Sequence, residues 1–153
     1  QYEVTTTAGA NNINFLFYAE NPPAGLLETT SQRTGAYKEY HVFQNYIITY
    51  LTADNGRWRV RFRKNPGFRL LSETFVERST KQPQIQQVTY VFEANGTMSL
   101  YADGQLLHTY RDSDNPYRAG YHGLRTWNTA LRYSQFRVYR ILNEGGGTAP
   151  EKD

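Results

Sequence analysis

The chain has 153 residues, a length typical of one domain, and 17 basic against 14 acidic side chains give it a formal net charge of +3. It contains no cysteine, which excludes disulfides, a thiolate nucleophile and a cysteine-ligated metal. The charge is too small to predict general nucleic-acid binding, and no apolar run approaches the roughly 20 residues of a membrane span. Because the chain opens at Gln1, we expect a processed or excised domain that is secreted or periplasmic.

Short segments rich in aromatic and β-branched residues predict strands along most of the chain. In chain order they are Tyr2–Thr6, Asn14–Tyr18, Glu39–Phe43, Tyr46–Leu51, Arg57–Arg63, Phe68–Glu73, a meander from Val88 to Tyr110, Gly120–Thr126 and Ser134–Ile141. Asn21 to Gly25 contains two prolines and predicts a loop. Asn95-Gly96 and Asp103-Gly104 tolerate positive φ, so each predicts a two-residue type I′ turn within the meander.

Strands of this length, separated by Gly, Pro, Asn and Asp, predict an all-β fold, namely an antiparallel β-sandwich of two stacked sheets. We predict that the sandwich occupies residues 1–142. Residues 143–153 contain consecutive glycines and predict a flexible tail or linker.

The segment Arg57–Arg63 alternates arginine with apolar residues. Because successive strand side chains point to opposite faces, we expect one face with Arg57, Arg59, Arg61 and Arg63 and another with Trp58, Val60 and Phe62. Neighbouring guanidinium groups would lie ~7 Å apart and repel each other, so anions must lie among them. Those anions are either glutamates of adjacent strands, or carboxylates and sulfates of an acidic polysaccharide that the guanidinium forks bind.

Two further stretches carry residue types that bind sugars. The first runs from Arg33 to Tyr46 and predicts a wall of stacking rings and hydrogen-bonding groups. The second runs from Tyr117 to Asn128 and predicts side chains that reach a concave face. The alternative for both is structural packing of the rings and histidines. The candidate ligand-binding residues are Arg33, Tyr37, Asn45, Arg59, Arg61, Arg63, Lys64, Arg125 and Trp127.

Other catalytic and metal signals are few. Asp112-Ser113-Asp114-Asn115 could hold a structural calcium ion, although turns use the same residues, and no other cofactor is expected. The acidic residues are scattered, which disfavours hydrolysis by a pair of carboxylates.

Several motifs occur in an order that resembles a group of poorly characterised concanavalin A-like proteins associated with bacterial use of acidic polysaccharides such as rhamnogalacturonan and ulvan. The motifs are Arg33-Thr34-Gly35, Tyr37, Tyr40-His41, Asn45-Tyr46, Arg63-Lys64, Gly67-Phe68, Asp103-Gly104, Gly123-Leu124-Arg125, Phe136 and Tyr139. The resemblance implies a lectin/glucanase-type jelly roll and a carbohydrate ligand. Members usually begin with additional strands before Tyr2, which this chain would then lack, and have Tyr-His where it has Tyr46-Ile47.

These residues lead to three candidate functions. An enzyme would act on the acidic polysaccharide by elimination. Arg61 or Arg63, with Asn45, would neutralise the sugar carboxylate, His41 or His122 would be the base, and Tyr40 or Tyr46 would be the acid. A non-catalytic carbohydrate-binding module would need only the complementary surface. A structural or adhesive β-domain would instead pair its open edge with another chain or domain that completes the sheet.

Overall fold

The computed structural model describes residues 1–20, 34–53 and 56–140, and this part of the chain is all-β. Its strands are β1 (Tyr2–Gly9), β2 (Ile13–Ala19), β3 (Asn45–Thr52), β4 (Trp58–Asn65), β5 (Arg69–Val76), β6 (Gln84–Phe92), β7 (Thr97–Ala102), β8 (Gln105–Arg111), β9 (Tyr121–Thr126) and β10 (Thr129–Ser134). In the described part of the connection between β2 and β3, Tyr37–Tyr40 form a 3₁₀ turn. The predicted loop at 21–25, Arg33 and the predicted tail at 143–153 lie outside the described residues.

Two antiparallel five-stranded sheets pack face to face, which confirms the predicted β-sandwich. Sheet A has the order β10-β1-β6-β7-β8, and sheet B has the order β5-β4-β3-β2-β9. Each sheet therefore has one face toward the core and one outer face, and the strands at its two ends are edge strands.

The core lies between the sheets and is rich in aromatic rings. From β4 it receives Trp58, Val60 and Phe62, all essentially inaccessible to solvent, and from β1 it receives Tyr2 and Val4. Each such side chain contributes about 1.5–3 kcal/mol through removal of apolar surface from water. The alternation predicted for β4 is confirmed, because these residues face inward while its arginines face outward.

The two hairpins of the meander have different turns. Asp103 and Gly104 have φ of 52° and 77°, which confirms the two-residue turn between β7 and β8. The β6–β7 loop instead contains four residues, with Gly96 N–H donating to the Glu93 carbonyl at 3.0 Å and only Gly96 in the positive-φ region. The two-residue turn predicted at Asn95-Gly96 is therefore wrong. A Cβ at Gly96 would lie 2.3 Å from the Asp112 carbonyl oxygen, so this close approach requires glycine.

Two predicted strands are also wrong. The segment Glu39–Phe43 forms part of the 3₁₀ turn and the bends after it, because the Glu39 carboxylate accepts bonds from the backbone N–H groups of Thr34 and Gly35 and so curls the chain. The segment Ser134–Ile141 is not a strand over its described part, 135–140, since β10 ends at Ser134 and Gln135 adopts φ of 52°.

A buried ion pair joins sheet B to the segment after β8. Lys64 lies on the core side of β4, and its Nζ is 2.7 Å from Asp112 Oδ2. The Tyr46 hydroxyl donates to the same oxygen at 2.5 Å, and Lys64 Nζ also donates to the carbonyls of Asp114 and Asn115 at 2.6 and 2.9 Å. Burial would raise the pKa of Asp112, but the hydrogen bonds from Lys64 and Tyr46 lower it below 3.8.

Replacing Asp112 by Asn should lower the free energy of unfolding by about 3 kcal/mol, because it leaves the Lys64 ammonium buried without a countercharge. Urea denaturation at pH 7 measures the loss. The matched control is Asp114→Asn, whose exposed carboxylate pairs with Arg69 at 3.5 Å and should change stability by less than about 0.5 kcal/mol.

The pH dependence gives a second check on the same pair. A carboxyl group with a lowered folded-state pKa stabilises the protein above its unfolded-state pKa, here 3.8, and that contribution disappears as pH falls through the folded-state pKa. The stability gap between the unsubstituted protein and Asp112→Asn should therefore shrink below about pH 3.8. A gap that is constant from pH 7 to pH 3, or equal losses in both variants, would contradict the assignment.

Candidate functional site

The register of sheet B aligns a row of polar residues across its outer face. The pairings run from Glu73 on β5 through Arg61, Thr49 and Asn14 to Arg125 on β9. Neighbouring strands lie ~4.8 Å apart, so the backbones that carry Arg61 and Arg125 are separated by ~14 Å. Five strands, of which β2 and β9 lie far apart in the sequence, thus contribute to one surface.

Four arginines dominate this surface, and we call them the arginine face: Arg59, Arg61 and Arg63 from β4, and Arg125 from β9. Their neighbour Arg57 does not belong to it, because Arg57 pairs with Glu77 at 3.8 Å and lies over the Phe75 ring at 4.8 Å. The predicted clustering of arginines thus holds for positions 59, 61 and 63 of β4, and β9 adds the fourth.

Three rings connect two members of the arginine face, and we call Phe68, His41 and Tyr37 the ring stack. The Arg63 guanidinium lies 4.0 Å from the Phe68 ring, which stacks on His41 at 3.7 Å. His41 meets Tyr37 edge-on at 4.8 Å, and the Arg125 guanidinium lies 4.5 Å from the Tyr37 ring. The 3₁₀ turn supplies Tyr37, whose hydroxyl is 3.3 Å from Thr49 Oγ1, so the stack stands directly on sheet B.

The arginine face has more positive charge than the described residues neutralise. The Nε atoms of all four arginines are buried and have no hydrogen-bond partner among the residues that the structure describes. Glu73 is the one carboxylate in the described ranges that pairs with them, and it lies 4.0 Å from Arg59 Nε. Burial lowers the pKa of Arg61, and the charges of Arg59 and Arg63 lower it further. The surface therefore favours the binding of anions.

The surroundings of His41 favour its neutral form. Burial lowers its pKa below 6.5, and Arg63 and Arg125 lower it further. Its Nε2 atom is buried without a hydrogen-bond partner. The imidazole therefore adds to the ring stack without adding a fifth positive charge.

The structure brings together six of the sequence-predicted residues: Arg59, Arg61, Arg63, Arg125, Tyr37 and His41. Asn45 lies on the same side of sheet B, but its side-chain amide is already hydrogen-bonded within the protein. Its amide donates to the carbonyls of Tyr40 and Phe43 at 2.7 and 2.8 Å, and its oxygen accepts from Asn65 at 2.9 Å. Asn45 therefore shapes the chain beneath the site and has no donor left for a ligand.

Three predicted site residues face the core side of sheet B, so their assignment beside the arginines is wrong. Tyr46 donates to Asp112, and burial together with this bond raises its pKa. His122 lies one residue away from the outer-facing Gly123, and its ring stacks with Phe15 at 5.9 Å. Lys64 forms the buried ion pair with Asp112. In each case one step along a strand reverses the face.

The remaining predictions have separate outcomes. The Tyr40 carbonyl accepts the hydrogen bond from Asn45, and the Tyr40 ring lies 6.4 Å from the Phe43 ring. Within the described residues, the Tyr40 ring makes no ring contact with the arginine face. Trp127 follows β9 and is 59 % exposed. At the predicted calcium loop, the oxygens of Asp112, Asp114 and Asn115 converge on Lys64 Nζ.

Sequence reasoning missed Phe68, Thr49, Asn14 and Glu73 as members of the site. Phe68 belongs to the Gly67-Phe68 motif, and its φ of 56° turns the chain so that its ring contacts His41. The other three become neighbours of the arginines through the register of the five strands of sheet B, for which a single sequence carries no signal.

Residues 1–20, 34–53 and 56–140 contain neither a cluster of metal-binding side chains nor a membrane-spanning helix. These residues contain no group of three or more His, Asp or Glu side chains placed to hold a metal ion. Among them, too, no helix has the length and apolar character that crossing a bilayer requires.

Together, fold and site define an antiparallel β-sandwich domain with an arginine-rich outer face on one sheet. Residues 3–136 match a family described as a domain of unknown function, DUF6250. The chain therefore belongs to this family. A comparison with curated proteins finds no match.

Replacing Arg125 by Gln should raise the pKa of His41, because it removes one of the two positive charges that oppose protonation of the imidazole. Histidine ring resonances followed by NMR across pH 4–9 measure the change. His108 and His122 are internal controls, since burial alone lowers the pKa of each and neither should respond. An unchanged His41 titration would contradict the geometry of the ring stack.

Proposed function

We propose that this protein binds an acidic polysaccharide or oligosaccharide on the arginine face. The observation that carries the proposal is the set of four buried guanidinium Nε atoms without hydrogen-bond partners, beside a single paired carboxylate. Carboxylates and sulfates bind guanidinium groups through two parallel hydrogen bonds, and such charge-assisted bonds are stronger than neutral ones.

The surroundings of the arginines support a sugar ligand. Tyr37 and Phe68 are half-buried rings beside the cations, and rings of this kind pack against sugar faces. The resemblance to concanavalin A-like proteins of acidic-polysaccharide use points the same way, and a secreted or periplasmic location suits such a ligand. The formal net charge of +3 is too small to favour nucleic acid as the ligand.

Eliminative cleavage of a uronic-acid polymer is a second candidate function, favoured by one observation. Burial and the neighbouring Arg63 and Arg125 lower the pKa of His41, which favours the unprotonated form that a general base requires. In such a reaction an arginine would neutralise the sugar carboxylate, and His41 would accept the proton from the adjacent carbon. A C=C bond would form as the glycosidic C–O bond breaks, and a tyrosine hydroxyl would donate a proton to the departing oxygen. Of the two acids predicted from sequence, Tyr46 faces the core and the Tyr40 ring lies 6.4 Å from Phe43. The Tyr37 ring contacts His41 at 4.8 Å, so Tyr37 is the better candidate for the acid.

Replacing Arg61 by Gln should weaken binding of an acidic polysaccharide about 10-fold, because a charge-assisted hydrogen bond contributes about 1.5–3 kcal/mol and a 1.4 kcal/mol loss is a factor of 10. Calorimetry with polygalacturonate at low ionic strength measures the affinity, which should also fall as salt is added. Arg132→Gln is the matched control, since it makes the same charge change at an exposed position of β10 in sheet A.

Equal weakening by both variants would show a general charge effect and contradict a site on sheet B. Absence of binding to polygalacturonate, ulvan and alginate would overturn the proposal itself. The same mixtures, followed by absorbance of the unsaturated product, test elimination: product that disappears in His41→Gln supports it, and binding without product restricts the protein to a binding role.

A further inference from the structure

We infer that the arginine face selects a glycan in which consecutive sugars each carry an anionic group, and discriminates against one in which charged and neutral sugars alternate. This inference rests on the proposed function and adds the charge pattern of the ligand. It follows from the number of uncompensated charges, the area over which they are spread and the rigidity with which they are held.

The first step is the charge count. The arginine face carries four positive charges, and one carboxylate, Glu73, pairs with it among the described residues, so four minus one leaves three. His41 adds nothing because its pKa lies below 6.5. A ligand that neutralises the face must therefore bring about three negative charges.

The second step is the area. Arg59 and Arg63 are four residues apart on β4, which places their backbones ~13 Å apart along the strand. Arg61 and Arg125 are separated by three strand spacings, or ~14 Å, across the sheet. The three uncompensated charges are thus distributed over a surface much wider than a single carboxylate.

The third step is rigidity. The ring stack lies between the Arg63 and Arg125 guanidinium groups and contacts both. Arg63 is held further by a 2.9 Å bond from its Nη1 to the Phe68 carbonyl. These two cations cannot converge on one anion without breaking the stack, so each needs an anion of its own.

A run of three linked pyranose rings is about as long as the distance across this surface. A polymer with a carboxylate or sulfate on every sugar brings three anions within that span, whereas an alternating polymer brings one or two. Binding either polymer removes water from the same arginines. Because the alternating polymer leaves at least one of these cations without an anion, its affinity is lower.

The experiment compares hexasaccharides of equal length in two chemistries. The carboxylate pair is hexagalacturonate and an alternating galacturonate–rhamnose hexasaccharide. The sulfate pair is a mannan hexasaccharide sulfated once on every sugar and the same hexasaccharide sulfated on every second sugar. Calorimetry at one fixed low ionic strength should show the fully charged member of at least one pair binding about 10-fold tighter than its alternating partner.

Arg125→Gln removes one of the three uncompensated charges and should narrow that preference, whereas Arg132→Gln should leave it intact. Equal affinities within every pair that binds, or a preference untouched by Arg125→Gln, would overturn the inference while the proposed function stands. If none of the four hexasaccharides nor polygalacturonate binds, the proposed function fails. The pair that shows the preference identifies the anion as carboxylate or sulfate.

Discussion

The burial of Trp58, Val60 and Phe62 against sheet A is the interaction on which the remaining structure depends. Each side chain contributes about 1.5–3 kcal/mol by leaving water. The pleat that turns them inward also turns Arg59, Arg61 and Arg63 outward, where two charges ~7 Å apart repel each other by only about 0.6–2.4 kcal/mol between water-like and surface-like dielectric constants. Core packing therefore outweighs the repulsion, and the fold holds the arginines together.

The fold compensates for this repulsion only in part. At one end of β4, Glu77 pairs with Arg57, and Glu73 lies at the limit of an ion pair with Arg59. At the other end, Phe68 provides its ring and its carbonyl to Arg63. Arg61, at the centre of the strand, has no such partner in the described ranges, and Arg125 has the Tyr37 ring but no carboxylate there. We propose that the ligand binds between these two arginines.

The two sides of sheet B differ in how their positive charges are compensated. On the core side, Lys64 pairs with Asp112 and donates to two carbonyl groups, and Tyr46 donates to the same Asp112 carboxylate. The charge of Lys64 is thus compensated inside the protein. On the outer side, the arginines lack such a set. The same strand thus carries one cation, Lys64, that stabilises the fold, and three outer-face arginines for which Glu73 is the one paired carboxylate in the described ranges.

The sequence predicted well what depends on local pattern. Alternation in β4, the Asp103-Gly104 turn and the two-sheet architecture follow from periodicity and turn chemistry, and the structure confirms them. The candidate site was harder, because Tyr46, His122 and Lys64 differ from true outer-face residues by one position each. The strand predicted at Glu39–Phe43 is wrong because the Glu39 carboxylate accepts hydrogen bonds from the backbone N–H groups of Thr34 and Gly35. Strand propensities do not predict such a side-chain-to-backbone contact.

The arginine side chains themselves report most directly on whether the ligand occupies the surface between Arg61 and Arg125. Their Nε–Hε groups can be followed individually by NMR during titration with hexagalacturonate. We predict that the Nε–Hε signals of Arg59, Arg61, Arg63 and Arg125 shift together and slow their exchange with water, while those of Arg57 and Arg132 do not move. Shifts confined to arginines of sheet A, or uniform small shifts of every arginine, would contradict an anion site on the outer face of sheet B.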